Sequence, residues 1–227
     1  MKTKIAYLAF MAVLALFTAS CEKNSWDEYK AGLGIDNPNN PDNPNTGNRP
    51  TKDGEIVETG LVDLGLSVKW SACNLSSSTE NHFTSMCSDT GTDFTSWTYG
   101  SISYPPENIS GTEYDHATAL LGGQWRTPTK TEIEELYNKC RISNTSYRGV
   151  TGRTVTGPSG KAIFLPRGSS TFTYYMTGTY NLSAGKGYAW YVDRNTESYD
   201  DKDARFYNFD NSYNTSNYIR PVYGPMK

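Results

Sequence analysis

"TPTKTEIEELYNKC", Thr127 to Cys140, is where the chain declares a helix. Thr129 followed three residues later by Glu132 fits a capping box, in which the Thr side chain satisfies the N–H of Glu132 and the Glu side chain satisfies that of Thr129. Ile133, Leu136, Tyr137 and Cys140 then recur at i, i+3, i+4 and i+7, so one face should be buried. Glu132, Glu134 and Glu135 crowd the helix start, where the helix dipole favours carboxylates, so a capped and solvated face accounts for them without a catalytic role. Just upstream, "GTEYDHATALLGG" supports a shorter helix with Tyr114, Ala117, Leu120 and Leu121 on one face and a stop at Gly122-Gly123.

Away from these helices the period becomes that of strands. "EIVETGLVDLGLSVKWSACNL" alternates as two short strands around Gly60 and Gly65, with Leu64, Leu66, Val68 and Trp70 pointing one way. "RTVTGPSGKAIFLP" carries a turn signal at Gly157 to Gly160 between two runs, which makes a hairpin. "TFTYYMTGTY", "YAWYVDR", "ARFYNF" and "NYIRPVYG" follow as further strands. Ser76 to Ile109 is Ser, Thr, Asn and Gly with scattered aromatics, and reads as long loops. Two early helices followed by antiparallel strands and long loops make an α+β domain.

The N-terminus assigns a compartment. Lys2 and Lys4 precede an apolar run from Ile5 to Phe17, then Thr18-Ala19-Ser20-Cys21, the pattern of a secretory signal too short to span a bilayer, which takes roughly 20 apolar residues. "DNPNNPDNPNTGNRP", Asp36 to Pro50, has no apolar residue to bury and reads as an extended spacer. The organisation expected is therefore a signal peptide over 1–20, an acidic and Pro/Asn-rich linker over 21–53, and one folded domain over 54–227. The formal charge of −3 gives no footprint for nucleic acid. Seventeen Tyr and five Trp against two His favour contact area over catalysis or metal binding.

Past Cys21 three cysteines remain. Cys73 ends an apolar strand and Cys140 ends the helix, so the two either meet as a disulfide or stay as separate buried thiols; Cys87, in a polar loop, reads as a free thiol.

Four blocks together resemble a known family: "VDLGLSVKWSACNL", "GGQWRTPTKTEIEEL", "YYMTGTY…YAWYV" and the closing "YIRPVYG". In this order they are similar to the motifs of the Fibrobacter succinogenes major paralogous domain proteins, frequent among Bacteroidetes lipoproteins and related in shape to the variable proteins of diversity-generating retroelements. The segment ending at Cys21 likewise resembles a lipobox. The resemblance implies lipidation at Cys21, an outer-membrane anchor facing the cell exterior, and a C-type-lectin-like domain with two short helices. Trp125 and Arg126 would then be structural, and Arg220 would pair inside the fold. The family's aromatic segment after the first Cys is replaced here by "HFTSMCSDTGTDF", and its "WSS"-like turn reads Met176-Thr177-Gly178.

The same resemblance makes the loops before the last strands a ligand-binding surface. From Asn195 to Tyr218, Asn, Tyr, Asp and Ser fill 16 of 24 positions, a paratope-like composition in which Tyr offers rigid area and the others adaptable hydrogen bonds. Tyr199, Asp201, Tyr207 and Asn208 are the first contact candidates, followed by Asp210, Asn211, Tyr213, Asn214 and Asn217. No Ser sits in a GxSxG elbow and neither His has metal-site spacing, so no enzyme and no cofactor are expected. "DDKD", Asp200 to Asp203, has oxygens suited to Ca²⁺ but reads equally as a solvated loop. The expected function is adhesion through a glycan or protein ligand at the cell surface. An accessory subunit of a surface assembly such as a pilus is the alternative, though the Pro-rich arm makes a poor donor strand.

Overall fold

The computed structural model describes residues 50–94, 106–169, 172–182, 186–192, 206–207 and 215–226. Contacts divide the chain after Asn43, and the unit Pro44–Lys227 contains every described residue. It is a mixed α+β structure dominated by sheet.

Both helices begin at a capping residue, the longer one at the capping box expected from Thr129 and Glu132. The shorter, α1 (His116–Leu121), is capped by Asp115, whose side chain accepts from Ala117 N, and it stops at Gly122. Ala117 is buried, but Tyr114 precedes the helix and is 47% exposed rather than on its apolar face. The longer, α2 (Lys130–Lys139), begins at Thr129 with a complete capping box to Glu132 and buries Ile133, Leu136 and Tyr137. Loss of such a cap costs roughly 1 kcal/mol.

Three four-stranded sheets surround them. One runs β1 (Glu55–Ile56), β7 (Lys161–Pro166), β6 (Val150–Thr156), β5 (Arg141–Tyr147). The expected hairpin is β6–β7, closed by Gly160 N to Gly157 O at 2.9 Å. Strand β5 is an addition to the sequence reading. It pairs with β6 through a two-residue turn at Arg148-Gly149, both with positive φ (51° and 80°), the geometry that matches strand twist. A second sheet runs β10 (Phe206–Tyr207), β9 (Lys186–Tyr191), β8 (Phe172–Asn181), β11 (Thr215–Tyr218). The third runs β2 (Leu61–Val62), β3 (Lys69–Ser71), β12 (Val222–Tyr223), β4 (Trp125–Arg126), so an early strand and the last one lie side by side.

Three expectations about the strands are corrected. The sheets are not wholly antiparallel, because β1 pairs parallel with β7 and β11 parallel with β8. "NYIRPVYG" is not one strand either. Proline has no N–H to give a ladder, and around Pro221 the chain leaves β8's sheet and enters that of β3 and β4, where Pro221 O accepts from Ser71 N at 2.9 Å. Met176-Thr177-Gly178 is likewise no turn: the register of β8 against β9 shifts between Met176 and Tyr180, a bulge within the strand. Gly178 allows it, since a Cβ there would come within 2.7 Å of Ser110.

The main core packs α2 against the inward faces of these sheets. Ile133 and Leu136 meet Trp70, Val155, Ile163, Leu165, Tyr175 and Trp190 in one buried cluster. Burying one such aliphatic or aromatic side chain stabilises by roughly 1.5–3 kcal/mol. Of the four residues expected to share a face around Gly65, Leu64, Val68 and Trp70 are buried and Leu66 is half-buried.

Candidate functional site

Arg220 lies at the centre of the core, 1% exposed. Its guanidinium donates through Nη1 to the carbonyls of Ser71 (3.3 Å) and Ala72, and through Nη2 to that of Phe164 at 2.6 Å. No carboxylate is among these partners, and burial pushes its pKa down. Tyr175 lies beside it, donating to Pro166 O at 2.8 Å and accepting from Asn74 Nδ2 at 3.2 Å. Burial, opposed by the Arg220 charge, pushes the Tyr175 phenol up to about 12. The chemistry of this centre is that of a strut joining three segments, not that of an acid or base poised near neutrality.

A second buried polar network ties the helices to the chain end. Arg126 Nη1 and Nη2 clasp Glu132 at 2.8 and 2.5 Å, and its Nε donates to Gly224 O at 2.9 Å. Glu132 Oε2 also accepts from Thr129 N at 2.9 Å. Glu132 therefore does not belong to a solvated face: it is 7% exposed because Arg126, arriving on β4, covers the start of α2. Glu134 and Glu135 instead make i,i+4 pairs with Lys130 and Lys139, and Glu135 also accepts from Ser67 N at 3.0 Å and from Ser67 Oγ. Asp115 receives five hydrogen bonds, from Gly111 N, Ala117 N, Thr118 Oγ1, Thr127 N and Thr127 Oγ1, which locks α1 to the segment leading into α2. Trp125 is half-buried, edge-on to Phe83 at 5.1 Å and to Tyr223 at 5.2 Å.

The three described cysteines, Cys73, Cys87 and Cys140, are thiols, so Cys73 and Cys140 are not joined in a disulfide. Both are buried in the main core, Cys140 closing α2 and Cys73 donating to Glu58 O at 3.2 Å. Cys87 is a free thiol, as its loop position suggested, and it is buried at 1% exposed. The loop after β3 folds back on the chain through Thr84 N to Asn74 O (3.0 Å) and Thr92 N to Leu75 O (3.2 Å), covering it. Burial raises both the Cys73 and the Cys87 thiols, against the opposing pull of Arg220.

Most of the expected contact surface, Tyr199, Asp201, Asn208, Asp210, Asn211, Tyr213 and Asn214, lies outside the described residues, as do Cys21 and the Asp200–Asp203 acidic run. Tyr207 ends β10, one edge of its sheet, and β11, starting at Thr215, forms the opposite edge. Asn217 is a correction. It is 0% exposed on β11, where its N–H donates to Asp93 Oδ1 at 3.0 Å and its carbonyl accepts from Phe94 N at 2.8 Å, so it faces the interior and not a ligand.

Ser76 to Gly91, read from sequence as plain loop, encloses an open cavity of about 420 Å³ lined by Ser76, Ser78, Thr79, Thr84, Ser85 and Ser88, with Asp89, Thr90, Gly91 and Val150. The one signal in the sequence was the density of Ser and Thr, which solvated loops share. Gly91, at φ 81°, makes the close return possible, since a Cβ there would come within 2.3 Å of Leu75 O. Among the described residues no three His, Cys, Asp or Glu side chains gather to hold a metal. No family model, curated protein or solved structure matches this chain.

Proposed function

We propose that the protein is a metal-independent binding module, not an enzyme, displayed on a lipid-anchored stalk at the outer membrane and facing the cell exterior. It recognises a glycan or protein ligand through the Tyr/Asn/Ser/Asp-rich stretch before its last strands. The domain is read as C-type-lectin-like, of the Fibrobacter succinogenes major paralogous type; two short early helices and a last strand lying against an early one support that reading. The observation that carries the function is the placement of β10 and β11. They put the strands that flank this stretch of paratope-like composition on opposite edges of one sheet, and side chains borne on a rigid frame lose less entropy on binding. A diversified sequence and a fixed one are both compatible with this composition.

The test is a screen of the full chain, solubilised in detergent, on glycan and host-protein arrays beside a Tyr213→Ala/Asn214→Ala variant. Binding by the parent and loss in the variant, with an unchanged melting temperature, is the expected result. Equal binding would move the site elsewhere, and no binding would favour an accessory subunit of a surface assembly. Anchoring is tested separately: Cys21→Ser is expected to shift the protein from the membrane to the soluble fraction, and its persistence in the membrane would refute lipidation.

A further inference from the structure

We propose that the cavity between residues 76 and 91 is a second binding site, one for a neutral polyhydroxylated ligand of monosaccharide size. Its volume of about 420 Å³ falls at the lower end of the roughly 300–1,000 Å³ of small-molecule sites. Hydroxyls dominate its wall, and part of them are committed to the fold. Ser76 and Ser78 Oγ bond each other at 3.0 Å, while Thr79 Oγ1 donates to Phe83 O at 2.7 Å and Thr84 Oγ1 to Met86 O at 2.9 Å. These bonds hold the loop's shape. By contrast, no hydrogen bond engages the hydroxyls of Ser85, Ser88 or Thr90 among the described residues. Asp89 uses Oδ2 to accept from Met86 N at 3.2 Å. Its other carboxylate oxygen accepts no hydrogen bond among the described residues.

The ligand class follows by elimination on charge and polarity. Among the described residues no Lys, Arg or His lines the cavity and Asp89 is its one charge, so an anion would meet repulsion without a counter-charge. The nearest cation of the adjoining hairpin, Arg148, is already clasped by both oxygens of Glu58 at 2.6 and 2.7 Å. A hard divalent cation takes 6–8 oxygens, several of them carboxylate, and a single Asp does not supply that set. Among the described residues Val150 is the one apolar lining side chain, too little for an apolar ligand. A sugar matches what remains, because each ring hydroxyl both donates and accepts: it can donate a hydrogen bond to the Asp89 carboxylate and exchange hydrogen bonds with Ser85, Ser88 and Thr90. None of the described lining residues belongs to 208–214.

Saturation-transfer NMR on the full chain in detergent decides it, using free neutral hexoses and N-acetylhexosamines, their methyl glycosides, and glucuronate as the acidic control. At least one neutral sugar is expected to bind at millimolar concentration, with glucuronate weaker. Asp89→Asn and Thr90→Val should each weaken it by about tenfold or more, since each keeps the side chain's shape and removes part of its hydrogen bonding. Ser85→Trp, from an exposed position on the wall, should fill the cavity and abolish binding at an unchanged melting temperature. Retention by methyl glycosides would identify a glycan terminus as the ligand, and binding of free sugars alone a free monosaccharide. The proposal is overturned if no neutral sugar binds, if glucuronate binds as well, or if Ser85→Trp binds like the parent. It is equally overturned if Tyr213→Ala/Asn214→Ala removes the sugar signal, whereas loss of array binding alone in that variant leaves this cavity standing.

Discussion

Arg220→Ala is expected to cost on the order of 4 kcal/mol, a large share of the roughly 5–15 kcal/mol that holds a domain folded. Two effects add. The carbonyls of Ser71, Ala72 and Phe164 lose their donors while remaining buried, at about 1–3 kcal/mol for each that finds no substitute. A large side chain then disappears from a site only 1% exposed, leaving a cavity. Urea unfolding followed by tryptophan fluorescence would read this directly, because Trp70 and Trp190 are both buried. Arg220→Lys should fall between parent and Ala. Its ammonium keeps the charge and three donors but lacks the planar fork that reaches Ser71 and Ala72 on one side and Phe164 on the other. A loss under about 1 kcal/mol for Arg220→Ala would mean that water takes over the carbonyls and that Arg220 is not the central strut.

The second large effect falls on Glu132. Glu132→Ala leaves the Arg126 guanidinium buried without its carboxylate and removes half of the capping box of α2, so a loss of about 3–5 kcal/mol is expected. An exposed pair of the same residue types would contribute only about 0–1 kcal/mol. The two cases separate in a double-mutant cycle. Arg126→Met/Glu132→Leu should recover part of the loss, because no buried charge remains. It should not recover all of it, because Arg126 also serves Gly224 O and Ser110 Oγ. Strict additivity of the two single losses would show that the pair is not coupled.

Arg220 and Glu132 also mark how far the sequence could be read. Arg220 was expected to pair inside the fold, but its partners are main-chain carbonyls from β3 and β7, which only the assembled sheets bring together. Glu132 was legible as a cap and not as half of a buried ion pair, since its partner lies on a separate strand whose position depends on β12. Asn217 looked like its Asn and Tyr neighbours and proved to be interior, because burial depends on the parallel pairing of β11 with β8.

What the sequence determined by itself was local. Capping residues, the 3.6-residue period and the glycine turn placed α1, α2 and the β6–β7 hairpin close to where they stand, because each is stabilised by contacts within a few residues. The α+β class followed from their mixture. The tertiary structure decided which strands share a sheet, that "NYIRPVYG" divides between two of them, and that Cys87 is enclosed by a loop with no periodic signal. It alone also shaped the hydroxyl-lined cavity. Those outcomes rest on hydrogen bonds and packing between residues far apart in the chain, and no local pattern encodes the partner of a bond that closes over 100 residues.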